Sequence, residues 1–157
     1  MGLLYRLSKP EQAIAWEGDM PITSRYTMGI AGERFFRAIL DDEALWGTCC
    51  PECDVVYVPP RLYCERCFAQ LDEWVEVPNT GYVYTYTIVH VDMDGNTLED
   101  PRIMAYVRLE GTDGGLVHFL GEVDPEDVGI GMLVEAVFKD KAERKGSIND
   151  IAYFRPI

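Results

Sequence analysis

A mainly β chain, with one helix and a small metal-held ribbon ahead of an antiparallel barrel, is the architecture this sequence predicts. Two C-x-x-C pairs, Cys50-Pro-Glu-Cys53 and Cys64-Glu-Arg-Cys67, mark the ribbon. Five runs rich in Val, Ile, Tyr and Thr, parted by glycine-bearing turns, follow one another beyond residue 80 and mark the barrel. Apolar residues at helical spacing precede the first cysteines. The expected division is an arm and helix over residues 1–46, the ribbon over 47–76 and the barrel over 77–157.

The first 26 residues mix Leu3, Leu4, Tyr5, Leu7, Ile14 and Trp16 with Pro10, Gly18 and Pro21, which break any long regular element. An apolar arm of this kind covers either its own chain or a partner, since each Å² of buried apolar surface is worth about 25 cal/mol. From Ala31 to Leu45 the pattern is helical. Phe35, Phe36, Ile39 and Leu40 fall on one side, with Glu33, Arg34, Arg37, Asp41 and Asp42 on the other, and Gly47 is expected to end the helix.

The paired cysteines read as a four-thiolate metal site of Cys50, Cys53, Cys64 and Cys67. A C-x-x-C knuckle lets two sulfurs converge on one ion from a tight turn, and a second knuckle on a neighbouring hairpin completes a tetrahedron, so zinc is the expected ion. Disulfide pairing is the alternative, but a chain of this length and composition does not need stapling. Four sulfurs leave no position open for water or substrate, so the metal would be structural. Cys49 stands too far from Cys53 for the x-x spacing and is read as a partly buried spare thiol. Between the knuckles, Pro59-Pro60-Arg61 supplies a rigid turn.

After the ribbon, Pro78-Asn79-Thr80-Gly81 turns the chain, and strands are expected at Tyr82–Asp92, Arg102–Glu110, Leu116–Val123, Met132–Lys139 and Ile151–Phe154. Five short strands with a long first member suggest a small barrel of the oligonucleotide/oligosaccharide-binding (OB) type, a three-plus-two sandwich being the competitor. The helix usual between the third and fourth strands has little room: Asp124-Pro125-Glu126-Asp127-Val128 allows a single turn. Alternation along the first strand would put Tyr82, Tyr84 and Tyr86 on one face, where Tyr84 and Tyr86 could stack a planar ligand or fill the core.

Composition bounds the function. With 14 basic against 27 acidic residues the formal net charge is −13, a field that repels phosphate backbones and makes nucleic acid an unfavoured partner. No apolar run approaches the ~18–20 residues of a membrane span. The N-terminus lacks a signal-peptide pattern, and Arg6 stands where a myristoylation motif needs Ser or Thr, so a cytoplasmic protein with reduced thiols is expected. His90 and His118 are the only near-neutral bases, each within a strand pattern, and neither can be matched from spacing to a nucleophile and an orienting group.

The order of apolar arm, helix with Glu33-Arg34-Phe35-Phe36, cysteine ribbon with Pro59-Pro60-Arg61, and five-stranded barrel resembles a known family: zinc-ribbon plus OB-fold acyl-CoA-associated proteins, small partners of thiolases and thiolase-like aldolases. The strand entry Gly81-Tyr82-Val83-Tyr84-Thr85-Tyr86-Thr87 and the terminal Tyr153-Phe154-Arg155-Pro156 strengthen the resemblance, which covers nearly the whole chain. The family commonly has glycine after the second cysteine of each knuckle, where this chain has Asp54 and Phe68.

The resemblance implies a rubredoxin-like zinc ribbon and a subunit that performs no bond cleavage itself. It would dock on a thiolase-like catalytic subunit and help hold the CoA part of a thioester. One enzyme with such a partner cleaves 2-(α-benzoyl)succinyl-CoA in anaerobic toluene breakdown, and the extended arm makes that acyl group a candidate. For the CoA phosphates the candidate contacts are Lys139, Lys141, Arg144 and Lys145, in the loop before the last strand, and Arg61 on the ribbon. A solvated hairpin tip is the plain alternative for the loop, and bonding within the ribbon for Arg61. The competing function is a single-strand nucleic-acid module, against which the acidic charge weighs.

Overall fold

The computed structural model describes residues 27–92 and 94–157; the arm expected over residues 1–26 lies outside them. Helix α1 runs Gly29–Asp42 and buries Ala31, Phe35 and Ile39, each four residues from the last and therefore on one face. Its end is set by Glu43, left-handed at φ 56°, with the Ala44 N–H closing back on the Ala38 carbonyl at 3.3 Å. The helix thus stops short of the expected Leu45. Leu45–Cys50 is instead strand β1, because Leu45 is buried and both edges of this segment find strand partners. Gly47 is a packing residue rather than a helix stop: a Cβ there would stand 2.7 Å from the Tyr57 carbonyl oxygen.

Strand β1 lies between β2 (Val55–Tyr57) and β3 (Glu73–Val77) in an antiparallel three-stranded ribbon, with Thr48 opposite Tyr57 and Leu45 opposite Val77. Five further strands close a barrel: β4 (Thr80–Val91), β5 (Thr97–Leu109), β6 (Gly115–Leu120), β7 (Leu133–Phe138) and β8 (Ile151–Pro156), in the order β4-β5-β6-β8-β7. Among the described strands only β6 and β8 pair parallel, Leu120 opposite Phe154. Closure removes free sheet edges, and it excludes the sandwich alternative.

Between β6 and β7 the chain makes turns around Asp124–Val128 and no helix. Helix α1 contributes apolar surface to the barrel instead, with Phe35 and Ile39 sharing one core with Val83, Ile103, Ala105, Val107, Val134 and Phe154. Leu45, Val58 and Val77 of the ribbon belong to that core as well.

A second junction is polar. The turn between β5 and β6 lies against β2 and the residue after it: Asp113 N–H donates to the Val56 carbonyl at 2.9 Å, Gly115 N–H to the Val58 carbonyl at 3.1 Å, and Val56 N–H to the Asp113 carboxylate at 3.1 Å. Gly114 permits this approach, since a Cβ there would stand 2.3 Å from the Val58 oxygen. Arg34 of α1 adds a third tie, its guanidinium 4.2 Å from the Trp74 ring centre and 5.2 Å from that of Trp46. No described helix is long and apolar enough to cross a membrane.

Candidate metal centre and its surroundings

Each cysteine pair sits in a turn that the ribbon builds. Cys50 ends β1, and the Cys53 N–H returns to the Cys50 carbonyl at 3.3 Å. In the second knuckle, Cys64 N–H donates to Ala69, Phe68 N–H to Cys64 and Leu71 N–H to Leu62, all at 2.8–2.9 Å. Asp54 and Phe68, the residues that follow the knuckles, are left-handed at φ 51° and 60°, the conformation glycine adopts without steric cost.

The Sγ atoms of Cys50, Cys53, Cys64 and Cys67 lie within 4.8 Å of one another, and Cys50 and Cys67 are 3.6 Å apart. A disulfide needs about 2.05 Å, so the thiols are unbridged. A tetrahedron with Zn–S bonds near 2.3 Å places its sulfurs about 3.8 Å apart. The donor set therefore suits a structural zinc ion, with all four positions filled by protein. Cys49 stands outside the group, because neighbouring residues of a strand face opposite sides; among the described residues its thiol forms no disulfide, and burial pushes it up.

The four thiols do not titrate alike. Cys64 is fully buried and is lowered to about 6, first by the Tyr57 hydroxyl 3.3 Å away and further by backbone N–H groups of the knuckle. The donating phenol is pushed up to about 12 by that same bond. Cys53 is pushed up to about 12 by its contact with Cys67 and then by burial, and burial raises Cys50. A bound dication would supply the charge that favours all four thiolates. Spacing alone gave no hint of Tyr57. It reaches the site only because β2 folds back over the knuckle.

Thr48 is fully buried and holds the Pro59-Pro60-Arg61 turn from both sides, its hydroxyl accepting from Arg61 N–H at 2.9 Å and donating to the Arg61 carbonyl at 3.0 Å. The Arg61 guanidinium pairs with Glu65 and lies 5.0 Å from the Tyr57 ring centre. Its contacts are thus within the ribbon, although half of the side chain stays exposed.

The cationic loop divides. Arg144, expected among the phosphate contacts, has only 3% of its side chain exposed. Its guanidinium donates to the Lys139 carbonyl at 2.7 Å and the Leu40 carbonyl at 3.2 Å, and it pairs with Glu43. It ties the end of α1 to the β7–β8 loop and is not free to meet a phosphate. Lys141 extends to the Asp41 carbonyl at 3.4 Å. Lys139 and Lys145 line a recess of about 500 Å³ with Glu143, Ser147, Asn149 and Asp150. Asp150 is buried and organises this loop by accepting from the N–H groups of Lys145, Gly146 and Ser147 at 2.7–3.1 Å.

The tyrosines do not form one platform. A bulge between Val83 and Thr85 inserts an extra residue in β4, which resets the alternation. Val83 and Tyr86 therefore both lie opposite inward residues of β5, Val107 and Ala105, and Tyr86 packs on the core. Tyr84, at the bulge, is exposed and makes an edge contact with Tyr106, ring centres 5.9 Å apart.

His118 is buried beside Phe119 and Phe154. Its Nε2 lies 3.3 Å from the Ile148 carbonyl, so that nitrogen carries the proton, while Nδ1 has no hydrogen-bond partner among the described residues. Burial lowers its pKa. Among the described residues neither histidine bonds a hydroxyl or thiol, so no nucleophile–base pair is assembled.

Comparison with known proteins agrees with both halves. The ChsH2 rubredoxin-like zinc ribbon domain matches residues 37–73 and the ChsH2 C-terminal OB-fold domain residues 74–139. A DUF35 domain-containing scaffold protein of Methanocaldococcus jannaschii is 34% identical over 128 residues, covering 79% of this chain and 89% of that protein. A scaffold protein of the same description from Methanothermobacter thermautotrophicus is 30% identical over 129 residues, 78% of this chain and 94% of its own length. Among solved structures, a DUF35 protein of unknown function from Sulfolobus solfataricus superposes with a TM-score of 0.64 at 28% identity, over 82% of this chain and 87% of its own. The Ltp2-ChsH2(DUF35) aldolase contains a chain that superposes at 0.61 and 26% identity, over 84% and 98%. Ribbon, barrel and sequence together place this chain in the DUF35 family, in which a rubredoxin-like zinc ribbon precedes an OB-fold domain.

Proposed function

We propose that this chain is a non-catalytic scaffold subunit that docks on a thiolase-like catalytic partner and helps handle its CoA thioester, in a complex that cleaves or forms acyl-CoA carbon–carbon bonds. The observation that carries the reading is the closed four-thiol centre. It leaves no coordination position for substrate, and the described residues hold no assembled nucleophile and base. The relatives described as scaffold proteins, and the aldolase with a DUF35 chain, support a role beside an enzyme.

For the CoA phosphates, Lys139 and Lys145 at their shared recess are the best-placed cations of the loop, with Lys141 beside them and Arg61 a separate cation on the ribbon rim. Glu143 and Asp150 share the recess with the two lysines, so its lining is balanced in charge on a chain of net charge −13, and it is the ammonium groups themselves that would meet a phosphate. Structural zinc in the ribbon would hold the docking surface in one shape.

The test is co-expression with the thiolase-like subunit of the same cell, followed by size-exclusion chromatography and thiolysis assays on a panel of acyl-CoA esters, 2-(α-benzoyl)succinyl-CoA among them. Co-elution and a rate that depends on this chain are expected. A chain that elutes alone and leaves the thiolase rate unchanged overturns the reading. Lys139→Ala with Lys145→Ala is expected to raise KM for the CoA ester while co-elution persists.

A further inference from the structure

The second knuckle requires a left-handed residue at position 68, but nothing in the described fold requires it to be Phe. Phe68 closes the second knuckle in a left-handed conformation, φ 60°, and is 79% exposed. A side chain with a Cβ is disfavoured there, and a Phe in water gains no burial to offset the strain. The first knuckle solves the same geometry differently, with Asp54 at φ 51°, a residue type that tolerates the left-handed region. The knuckle turn accounts for the left-handed backbone, with Phe68 N–H bonded to the Cys64 carbonyl at 2.9 Å, but not for an exposed aromatic side chain on it, and strained residues of this kind cluster at functional sites.

Phe68 is not alone. Tyr63, 60% exposed, and Leu62 lie on the same small hairpin, where Tyr63 pairs with Gln70. The hairpin is fixed at its base by buried Cys64 and Leu71, so these apolar side chains project from a rigid mount. The ribbon that carries them is acidic over residues 47–76: Glu52, Asp54, Glu65, Asp72, Glu73 and Glu76 against Arg61 and Arg66, with Arg61 paired to Glu65.

We infer that the second knuckle is a docking point for the thiolase-like subunit, with Phe68 as the anchor that enters an apolar pocket rimmed by basic side chains. The inference rests on the scaffold reading above and names its contact. An aromatic anchor on a pre-formed mount binds with little loss of side-chain freedom, the pattern of an interface hot spot. Acidic neighbours select a basic rim and speed encounter with it. The same charge disfavours anionic membranes and nucleic acid as occupants.

The experiment compares wild type, Phe68→Gly and Tyr63→Ser in binding to the purified thiolase-like subunit by titration calorimetry, with metal content and thermal midpoint recorded for each free chain. Phe68→Gly is expected to keep its metal and melt at or above the wild-type temperature, yet bind the subunit about 30-fold more weakly. Tyr63→Ser is expected to weaken binding in the same direction. Binding of Phe68→Gly within twofold of wild type overturns the inference and leaves the scaffold reading standing. No binding by wild type overturns both. Sedimentation of wild type, but not Phe68→Gly, with phosphatidylserine vesicles would assign the anchor to a membrane and overturn the choice of a protein partner.

Discussion

Replacing Arg144 with methionine separates a structural arginine from a phosphate-binding one. The guanidinium gives two hydrogen bonds to carbonyl oxygens, Lys139 at 2.7 Å and Leu40 at 3.2 Å, and a third contact to Glu43. Hydrogen bonds to a charged group contribute about 1.5–3 kcal/mol each. Glu43 is more than half exposed, so its pairing adds little after solvent screening. Methionine would keep much of the stem's packing but leave both carbonyls without their donor. The expected loss is about 3 kcal/mol, or a fall of about 6–12 °C in melting temperature for a chain of this size. Arg144→Lys, which keeps the charge but not the planar fork, is expected to recover part of the loss. Thermal and urea unfolding with matched slopes measure both. A melting temperature within a degree of wild type, together with weakened CoA binding, would show that the side chain works in solution and not in the fold.

Metal analysis should find one zinc per chain, with Cys50→Ser losing it and Cys49→Ser retaining it; chelation should unfold the ribbon, seen as a loss of near-ultraviolet dichroism from Trp46 and Trp74. Gly114→Ala forces a Cβ to 2.3 Å from the Val58 oxygen and 2.8 Å from its nitrogen, backbone atoms that cannot step aside alone. It is expected to destabilise by about 1–3 kcal/mol and to raise the rate of protease cleavage between ribbon and barrel. Burial depresses the His118 pKa, so the unfolded chain takes up the proton first. The stability held by the neutral imidazole is full above the ordinary histidine value near 6.5 and is lost as pH falls through the depressed folded value. His118→Leu should flatten unfolding free energy measured from pH 7 down through that window, and an unchanged slope would assign the dependence to other groups.

The ribbon was legible because its information is local. Two knuckles need only the x-x spacing and a turn, and Cys50, Cys53, Cys64 and Cys67 converge as that spacing implies. Barrel strands were legible for a similar reason: β-branched and aromatic runs between glycine turns carry their own signal. Leu45 was not, since an apolar residue after a helix continues it or begins a strand equally well until partners are known. Simple alternation puts Tyr86 on the side of Tyr84, but the bulge between Val83 and Thr85 leaves no mark in the residue pattern, and one extra residue reverses the side chains beyond it.

The sequence by itself determined which four thiols converge as a set, where the barrel strands run and which net charge the chain carries, all of which depend on near neighbours or composition. Tertiary structure alone decided which cations face solvent. Arg144 and Lys145 are adjacent, but only Arg144 meets the carbonyl of Leu40, about a hundred residues away. It also decided that helix α1 contributes to the barrel core and that the Tyr57 hydroxyl reaches Cys64 and lowers its pKa. A buried polar group takes its role from whatever the folded chain brings within hydrogen-bond reach, and spacing along the chain does not record that distance.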